Sequence, residues 1–227
     1  MTVPIDGEEY TLDLRLNQDL VTDNHGLRYQ ENGKTVVHKP KNEEIDLCHY
    51  NGVVRDKPGS WVALSTCHGV QGIVFDGHTT RYIEPAQDED ITSGHYLYDY
   101  VDLTLPNQSD SKMEVSNSSR QEPHSERPLH RHKRYAPDNT QVRDPYNANS
   151  LSRYLELVLV ADNKEFINNG RSIQSVYHQM KSIANLINSL FVPLNIFVAL
   201  VGVEVWNQRD EINLYNQTSQ EILQNFL

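Results

Sequence analysis

The sequence predicts a β-rich N-terminal segment followed by the start of an α/β domain, with a flexible linker between the two. Apolar and polar residues alternate repeatedly over residues 1–105, whereas large apolar residues are scarce over 106–150. After residue 151 the apolar residues follow a strand–helix–strand pattern. These three observations place the segments at 1–105, 106–150 and 151–227.

The β-rich segment is expected to consist of short strands separated by turns. Apolar and polar residues alternate over Tyr10–Leu16, which is the period-2 pattern of a half-buried strand. Asn32 and Gly33 predict a tight hairpin, because both central residues of that turn need positive φ. Asp76 and Gly77 predict another turn. Further strands are predicted at 61–66, 72–75, 80–84 and 96–100.

The linker differs from both of its neighbours in composition. Ser, Asn, Asp, Pro, His and Arg dominate residues 106–150. A stretch with so few large apolar side chains cannot bury enough surface to offset the entropy lost on ordering. We therefore expect these residues to be mobile.

The last segment begins with a predicted βαβ unit. The apolar run Tyr154–Val160 predicts a buried strand, and apolar residues at i, i+3, i+4 and i+7 from Ile173 to Phe191 predict one apolar face of a long helix. Pro193 ends that helix. Residues 194–206 then predict a strand buried on both faces. The two strands should be parallel, with a right-handed crossover between them.

The end of the chain predicts one more helix. Thr218 and Glu221 have the spacing of a capping box before the apolar residues Ile222, Leu223 and Phe226. The chain stops inside this helix, and its first residues lack the apolar core of a signal peptide. We therefore expect the full protein to continue beyond both ends.

Charge and sequons narrow the class of protein. The formal net charge of −11 argues against a nucleic-acid-binding protein, which needs a basic face for phosphates. Three N-x-S/T sequons, at Asn107, Asn117 and Asn216, favour glycosylation in the secretory pathway and an extracellular or cell-surface location. The longest apolar stretch is shorter than the about 20 residues that span a bilayer.

A basic motif lies within the linker. Arg131, Lys133 and Arg134 match the paired basic residues, with an upstream Arg, that furin-like proprotein convertases recognise through charge-assisted hydrogen bonds. An accessible polar linker also meets the need of a protease for extended chain. A solvated basic run or heparin-type patch is the alternative. We expect cleavage between Arg134 and Tyr135.

The two cysteines, Cys48 and Cys67, both lie in the β-rich segment. A disulfide, a metal-binding pair and a reactive thiol are the alternatives. His49 and His68 follow the cysteines directly, but the usual zinc-ligand spacings are absent, and each histidine should point to the opposite strand face from its cysteine. We favour the disulfide.

The remaining candidates for chemistry are few. Glu156 lies within an otherwise apolar strand and Asp210 follows the other strand of the βαβ unit, but from spacing alone both read as ordinary exposed residues. The chain contains no His-Glu-x-x-His, no Gly-rich phosphate loop and no Gly-x-Ser-x-Gly elbow. We therefore assign no catalytic residue to this chain.

Two parts of the chain resemble the ADAM (meltrin-like) and snake-venom reprolysin metalloprotease family. Cys48–Gly52, Ser60–Gly69 and Tyr82–Pro85 resemble the family's propeptide. Arg153–Asp162 and Val203–Ile212 resemble the opening strand and the next strand of its metalloprotease domain. The convertase motif falls between these parts, as it does in the family.

The resemblance implies a β-rich prodomain followed by a partial, metzincin-like α/β domain. The full precursor would be a zinc endopeptidase of extracellular or membrane proteins, with zinc ligands outside this chain, so the fragment itself should be inactive. The prodomain would bind, mask and chaperone its own protease domain. Glu156 and Asp210 match two ligands of a structural calcium, but a hard cation needs 6–8 oxygens, so the site should be incomplete here.

One feature departs from the family. Its propeptides commonly have a cysteine that ligates the zinc shortly before the convertase site, whereas this sequence has no Cys between Tyr82 and Arg134. The alternatives are a switch role for Cys48 or Cys67, steric inhibition, and an enzyme that is not latent in this way. Steric inhibition is favoured, because both cysteines match the propeptide pair of the family. Two other hypotheses stay open, namely a non-catalytic ADAM-type adhesion protein and an unrelated secreted precursor whose product begins at Tyr135.

Overall fold

Two β-sheets with a long helix between them make up the part of the protein that can be described. The computed structural model describes residues 1–41, 47–86, 94–99, 150–215 and 217–226. The linker predicted over 106–150 lies outside these residues except for its last position.

The first sheet is antiparallel and has seven strands in the order β1-β2-β5-β6-β7-β8-β9. Its strands are β1 (Thr2–Ile5), β2 (Glu8–Leu16), β5 (His49–Val54), β6 (Trp61–Ser65), β7 (Gln71–Phe75), β8 (Thr80–Pro85) and β9 (His95–Asp99). β2, β6, β7, β8 and β9 lie within a residue or two of the predicted positions, whereas β1 and β5 were not predicted. One face forms a core that includes Leu12, Val62 and Leu64.

The ends of this sheet are drawn together by charge. The Arg81 guanidinium on β8 lies 2.6 Å from Asp6 in the turn between β1 and β2, and 3.4 Å from Asp99 on β9. Tyr10 on β2 also donates a hydrogen bond to Asp76, at 3.3 Å. The sheet therefore curls in a barrel-like way around its apolar face.

The second sheet joins the two halves of the sequence. Its order is β10-β11-β3-β4, with β3 (Val21–Glu31) and β4 (Lys34–His38) from the N-terminal segment and β10 (Arg153–Ala161) and β11 (Ile196–Val205) from the C-terminal segment. β10 and β11 are parallel, which confirms the predicted βαβ unit. The sequence did not predict that β3 pairs with β11, also in parallel.

The hairpin between β3 and β4 has the predicted turn. Asn32 and Gly33 have φ values of 50° and 73°, as this type of turn requires. Glu31 and Lys34 close the antiparallel pair.

The helices follow local signals. α1 (Asn163–Asn168), which was not predicted, is capped by Asp162, whose side chain accepts from the backbone N–H of Glu165. α2 spans Ile173–Phe191 and so ends before Pro193, as predicted. A 3-10 turn at Val192–Leu194, which was not predicted, follows it. α3 (Ser219–Phe226) has the predicted capping box: the Glu221 N–H donates to Thr218 Oγ1 at 3.3 Å, and the Thr218 N–H donates to Glu221 Oε2 at 2.7 Å.

Two predictions about burial were wrong. β10 is not a buried strand: Tyr154 is 73% exposed and Val158 is 57% exposed. The reason is that, among the described strands, β10 has a neighbour on one side only, β11. The predicted apolar face of α2 is likewise buried only as far as Ala184, whereas Leu190 near its end is 49% exposed.

The close approach of β2 and β5 gives a test of the seven-stranded sheet. A Cβ added at Gly52 would collide with the backbone carbonyl of Asp13, and its distance to the Asp13 carbonyl carbon would be 2.9 Å. We expect Gly52→Ala to lower the free energy of unfolding by about 3 kcal/mol in denaturant titrations. Gly94→Ala is the control because, chain neighbours aside, no atom of the described residues lies within 4 Å of its added Cβ. Equal stability of the two variants would contradict the described packing.

Candidate functional site

Helix α2 lies between the two sheets and forms the main interface of the molecule. Val176, Tyr177 and Met180 pack into the core of the four-stranded sheet. The opposite side of the helix faces β5, β6 and β7 of the seven-stranded sheet. Both sides of this C-terminal helix are therefore covered by strands, several of them from the N-terminal segment.

Asn185 anchors the side of α2 that faces the seven-stranded sheet. Its Oδ1 accepts from Asn17 Nδ2 at 2.9 Å, and its Nδ2 donates to the carbonyls of Tyr50 and Leu64 at 3.1 and 3.3 Å. Asn185 is buried, so these bonds compensate for the water that its amide loses. The amide therefore connects the helix to two adjacent strands.

Other polar contacts continue along the same helix face. Ser182 Oγ accepts from Gln71 Nε2 at 3.0 Å, and Ser189 Oγ donates to Asn51 Oδ1 at 2.8 Å. Ser182, Asn185 and Ser189 recur at helical spacing and so form one row. The sequence carried no sign of this row, because Ser and Asn on a helix usually face water. Since the row is polar, removing the seven-stranded sheet from it would not expose a large apolar patch.

Strand β3 forms the other half of the interface. Leu200, Val203 and Glu204 of β11 lie opposite Val21, Leu27 and Arg28 of β3. The Leu200 N–H also donates to the Leu20 carbonyl at 2.7 Å. Leu20, Val21 and Leu27 are buried in the same core as α2. The N-terminal segment therefore supplies both backbone pairing and core side chains to the βαβ unit.

His25 on β3 contacts α2 inside this core. The ring is 0% exposed, and its Nδ1 lies 2.8 Å from the Thr22 carbonyl, which can only accept. Nδ1 therefore carries the proton, and Nε2 accepts from the Tyr177 hydroxyl. Burial lowers the pKa of His25, the hydrogen bond to Thr22 opposes this, and the charges of Lys181 and His38 lower the pKa further.

Cys48 and Cys67 form the favoured disulfide, which joins the residue before β5 to the loop after β6. His49 is buried with its Nε2 4.0 Å from Cys67 Sγ. The potential ligand atoms of Cys48, His49 and Cys67 all lie within 4.8 Å of one another, so His49 does not point away from Cys48 as expected. Cys48, His49 and Cys67 are the one group of three potential metal ligands found among the described residues. Both sulfurs are in the disulfide, so the group lacks the thiolates that zinc binds.

The structure does not bring Glu156 and Asp210 together. Glu156 lies opposite Ala199, whereas Asp210 follows the end of β11 and accepts from the Asn163 N–H at 2.7 Å. The end of β11, Val205, is six residues beyond Ala199, which is about 20 Å along a strand. One cation cannot be coordinated by both carboxylates in this arrangement.

Several predicted positions lie outside the described residues. The convertase motif of Arg131, Lys133 and Arg134 is among them, as are the sequon residues Asn107, Asn117 and Asn216. These assignments stay predictions. None of the described helices is long and apolar enough to cross a membrane.

The disulfide gives a test of stability. The two cysteines are 19 residues apart, and cross-linking a loop of this size stabilises a fold by about 3 kcal/mol in the chain-entropy model. We expect the double variant Cys48→Ser, Cys67→Ser to lose that amount in denaturant unfolding. Reducing agent should destabilise the parent chain similarly and leave the variant unchanged. A parent chain that is insensitive to reduction would contradict the pairing.

His25 gives a test with pH. Because its pKa is lowered in the folded chain from its ordinary value of 6.5, the unfolded chain binds more protons as the pH falls below that value. The stabilisation from neutral His25 is complete above pH 6.5 and is lost progressively below it. We expect His25→Gln to flatten the fall in unfolding free energy between about pH 6.5 and 5. The exposed His78→Gln is the control, and an identical slope in both variants would contradict the burial of a neutral imidazole.

Two family models match separate stretches of the chain, one near each end. A model of the reprolysin (M12B) family zinc metalloprotease matches residues 153–227. A model of the reprolysin family propeptide matches residues 2–55. The seven-stranded sheet extends beyond the second match, to β9.

Curated relatives match nearly the whole chain. Disintegrin and metalloproteinase domain-containing protein 15 of Homo sapiens is 30% identical over 98% of this chain, and protein 12 of Mus musculus is 28% identical over 92%. Human protein 33 is 29% identical over 90%. The chain spans only 22% to 24% of the length of these relatives. With family matches over more than half of its residues, the chain belongs to the reprolysin (M12B) metalloprotease family and contains segments of that family's propeptide and protease domain.

Proposed function

We propose that this chain is the front part of a zinc metalloendopeptidase zymogen. The segment over 1–105 would be the propeptide and residues from 151 onward the beginning of a metzincin-like protease domain. The full precursor would cleave peptide bonds of extracellular or membrane proteins. Support comes from the order of the two family matches and from relatives whose names describe them as disintegrin and metalloproteinase proteins.

The observation that carries this proposal is the sheet shared by the two segments. β3 of the propeptide segment pairs with β11 of the protease segment, and α2 is buried between the two sheets. Removing β3 would leave one edge of β11 unpaired and would expose part of the core around Leu200. A propeptide in this position supports folding of the first βαβ unit, which is the role of an intramolecular chaperone.

The residues of this chain do not form the zinc site. The sequence contains no His-Glu-x-x-His motif, and both sulfurs of Cys48 and Cys67 are in a disulfide. We therefore place the zinc ligands in the full-length protein, outside these residues. Because no free thiol is left to ligate zinc, the proposed inhibition by the propeptide is steric.

Activation is proposed to begin in the linker. A furin-like convertase of the secretory pathway would recognise Arg131, Lys133 and Arg134 and would cut before Tyr135. Because such convertases act in the secretory pathway, we place the processed protein outside the cell or at the cell surface. The cut would break the covalent connection between the propeptide and the protease segment.

This proposal predicts the products of convertase treatment. Incubation of the chain with a furin-like convertase should give a new N-terminus at Tyr135, read by N-terminal sequencing and intact mass. Arg134→Ala should abolish the cut, because the residue before the scissile bond loses its charge-assisted hydrogen bonds. Arg143→Ala, another arginine between the two folded segments, should be cut like the parent. A parent chain that resists the convertase would contradict the zymogen proposal.

A further inference from the structure

The pairing of β3 with β11 continues past the end of β11 through a side chain. Asn207 lies two residues beyond Val205, the last residue of β11. Its Oδ1 accepts from the Gln30 N–H at 2.9 Å, and its Nδ2 donates to the Gln30 carbonyl at 2.8 Å. The amide therefore pairs with both backbone groups of one strand residue, as a neighbouring strand would.

This contact recognises the backbone of an extended chain and not a particular side chain. An amide is the side-chain group that offers a donor and an acceptor side by side, so it can pair with an N–H and a C=O together. Asn207 lies within Val203–Ile212, one of the stretches that resembles the family. The proposed function does not otherwise use this residue.

Charge and packing fix the position of β3 along this edge. Arg28 Nη1 lies 2.8 Å from Glu204 Oε2, and Arg28 Nη2 lies 3.9 Å from Glu211 Oε2. Leu27, one residue earlier, faces the core beside Val203. Two successive residues of β3 thus point to opposite faces of the sheet, one forming an ion pair and the other burying an apolar side chain.

We propose that the edge of β11 and the Asn207 amide together form a strand-binding site, and that residues 21–31 stay bound there after the chain is cut in the linker. The cut itself rests on the proposed function. The propeptide would then remain on the protease segment as an added β-strand, held without a covalent bond. Asn207 acts as a clamp that fixes the end of this strand.

Cleavage at an engineered site tests whether residues 21–31 stay bound, independently of whether a convertase cuts the natural linker. In the full chain, a viral-protease recognition sequence replaces residues 131–134, so the cut does not depend on any convertase. After complete cleavage at micromolar concentration, the fragments are passed over a size-exclusion column. Co-elution is expected. Separation of the fragments would overturn the strand-binding site, whereas failure of a convertase to cut the natural linker would overturn only the zymogen proposal.

Variants then test the clamp. Asn207→Ala removes two hydrogen bonds and should raise the dissociation constant of the fragments by about tenfold to a hundredfold. Asn213→Ala is the matched control, because the Asn213 side chain accepts from Tyr215 in its own loop at 3.0 Å. Gln30→Ala keeps the backbone groups and should bind nearly like the parent. Equal binding by the Asn207 and Asn213 variants would overturn the role of the clamp.

If Asn207→Ala folds poorly, hydrogen exchange of the cleaved parent complex tests the clamp instead. The Gln30 amide of the cleaved parent complex should exchange slowly, because its hydrogen is bonded to Asn207 Oδ1. An amide at Gln30 that exchanges as fast as unstructured chain would overturn the clamp without any variant. In a folded Asn207→Ala complex the loss of protection should centre on Gln30 and leave β10 unchanged.

Discussion

The parallel pairing of β3 with β11 is the interaction on which the rest of the structure depends. It brings two stretches of chain that are far apart in sequence into one sheet, and it places the N-terminal side chains Leu20, Val21 and Leu27 in the core beneath α2. The seven-stranded sheet lies against the other side of the helix. The helix is therefore buried by both segments, and each segment completes the environment of the other.

The two sides of α2 differ in chemistry, and the difference fits a temporary partner. The side toward β3 and β11 is apolar, with Val176 and Met180 in the core. The side toward the seven-stranded sheet is a row of hydroxyl and amide groups that bond to strand carbonyls and side chains. A polar row can exchange these partners for water, whereas the apolar side needs permanent cover. The helix is thus suited to losing the seven-stranded sheet, whereas its apolar side continues to need the cover that β3 provides.

Local patterns in the sequence predicted most of the elements, but they did not predict which elements meet. The alternation over Tyr10–Leu16, the turn at Asn32 and Gly33 and the capping box at Thr218 all depend on neighbouring residues, and the structure confirms each of them. Strand partners depend on residues far apart in sequence, and periodicity carries no information about them. For this reason the local patterns placed β3 and β4 in an N-terminal unit and gave no sign of their place in the second sheet.

The same limit explains which parts of the candidate site were missed. The disulfide could be favoured from two cysteines in strand-like surroundings, but the burial of Asn185 and His25 could not. Both residue types usually face solvent. Their burial is possible because strand carbonyls accept hydrogen bonds from Asn185 and the Tyr177 hydroxyl bonds to His25, which compensates for the water that each side chain loses. The exposure of β10 was missed for a related reason, since an apolar run shows that a strand can be buried but not what covers it.

The central claim is that the propeptide and protease segments share one cooperative sheet. Native-state hydrogen exchange, measured residue by residue on the uncut chain, tests this most directly. The account predicts that bonded amides of β3 and β11 open together, with the same free energy and the same response to denaturant. If the amides of β3 exchange at the rate of unstructured chain while those of β11 stay protected, the two segments fold separately and the account is wrong.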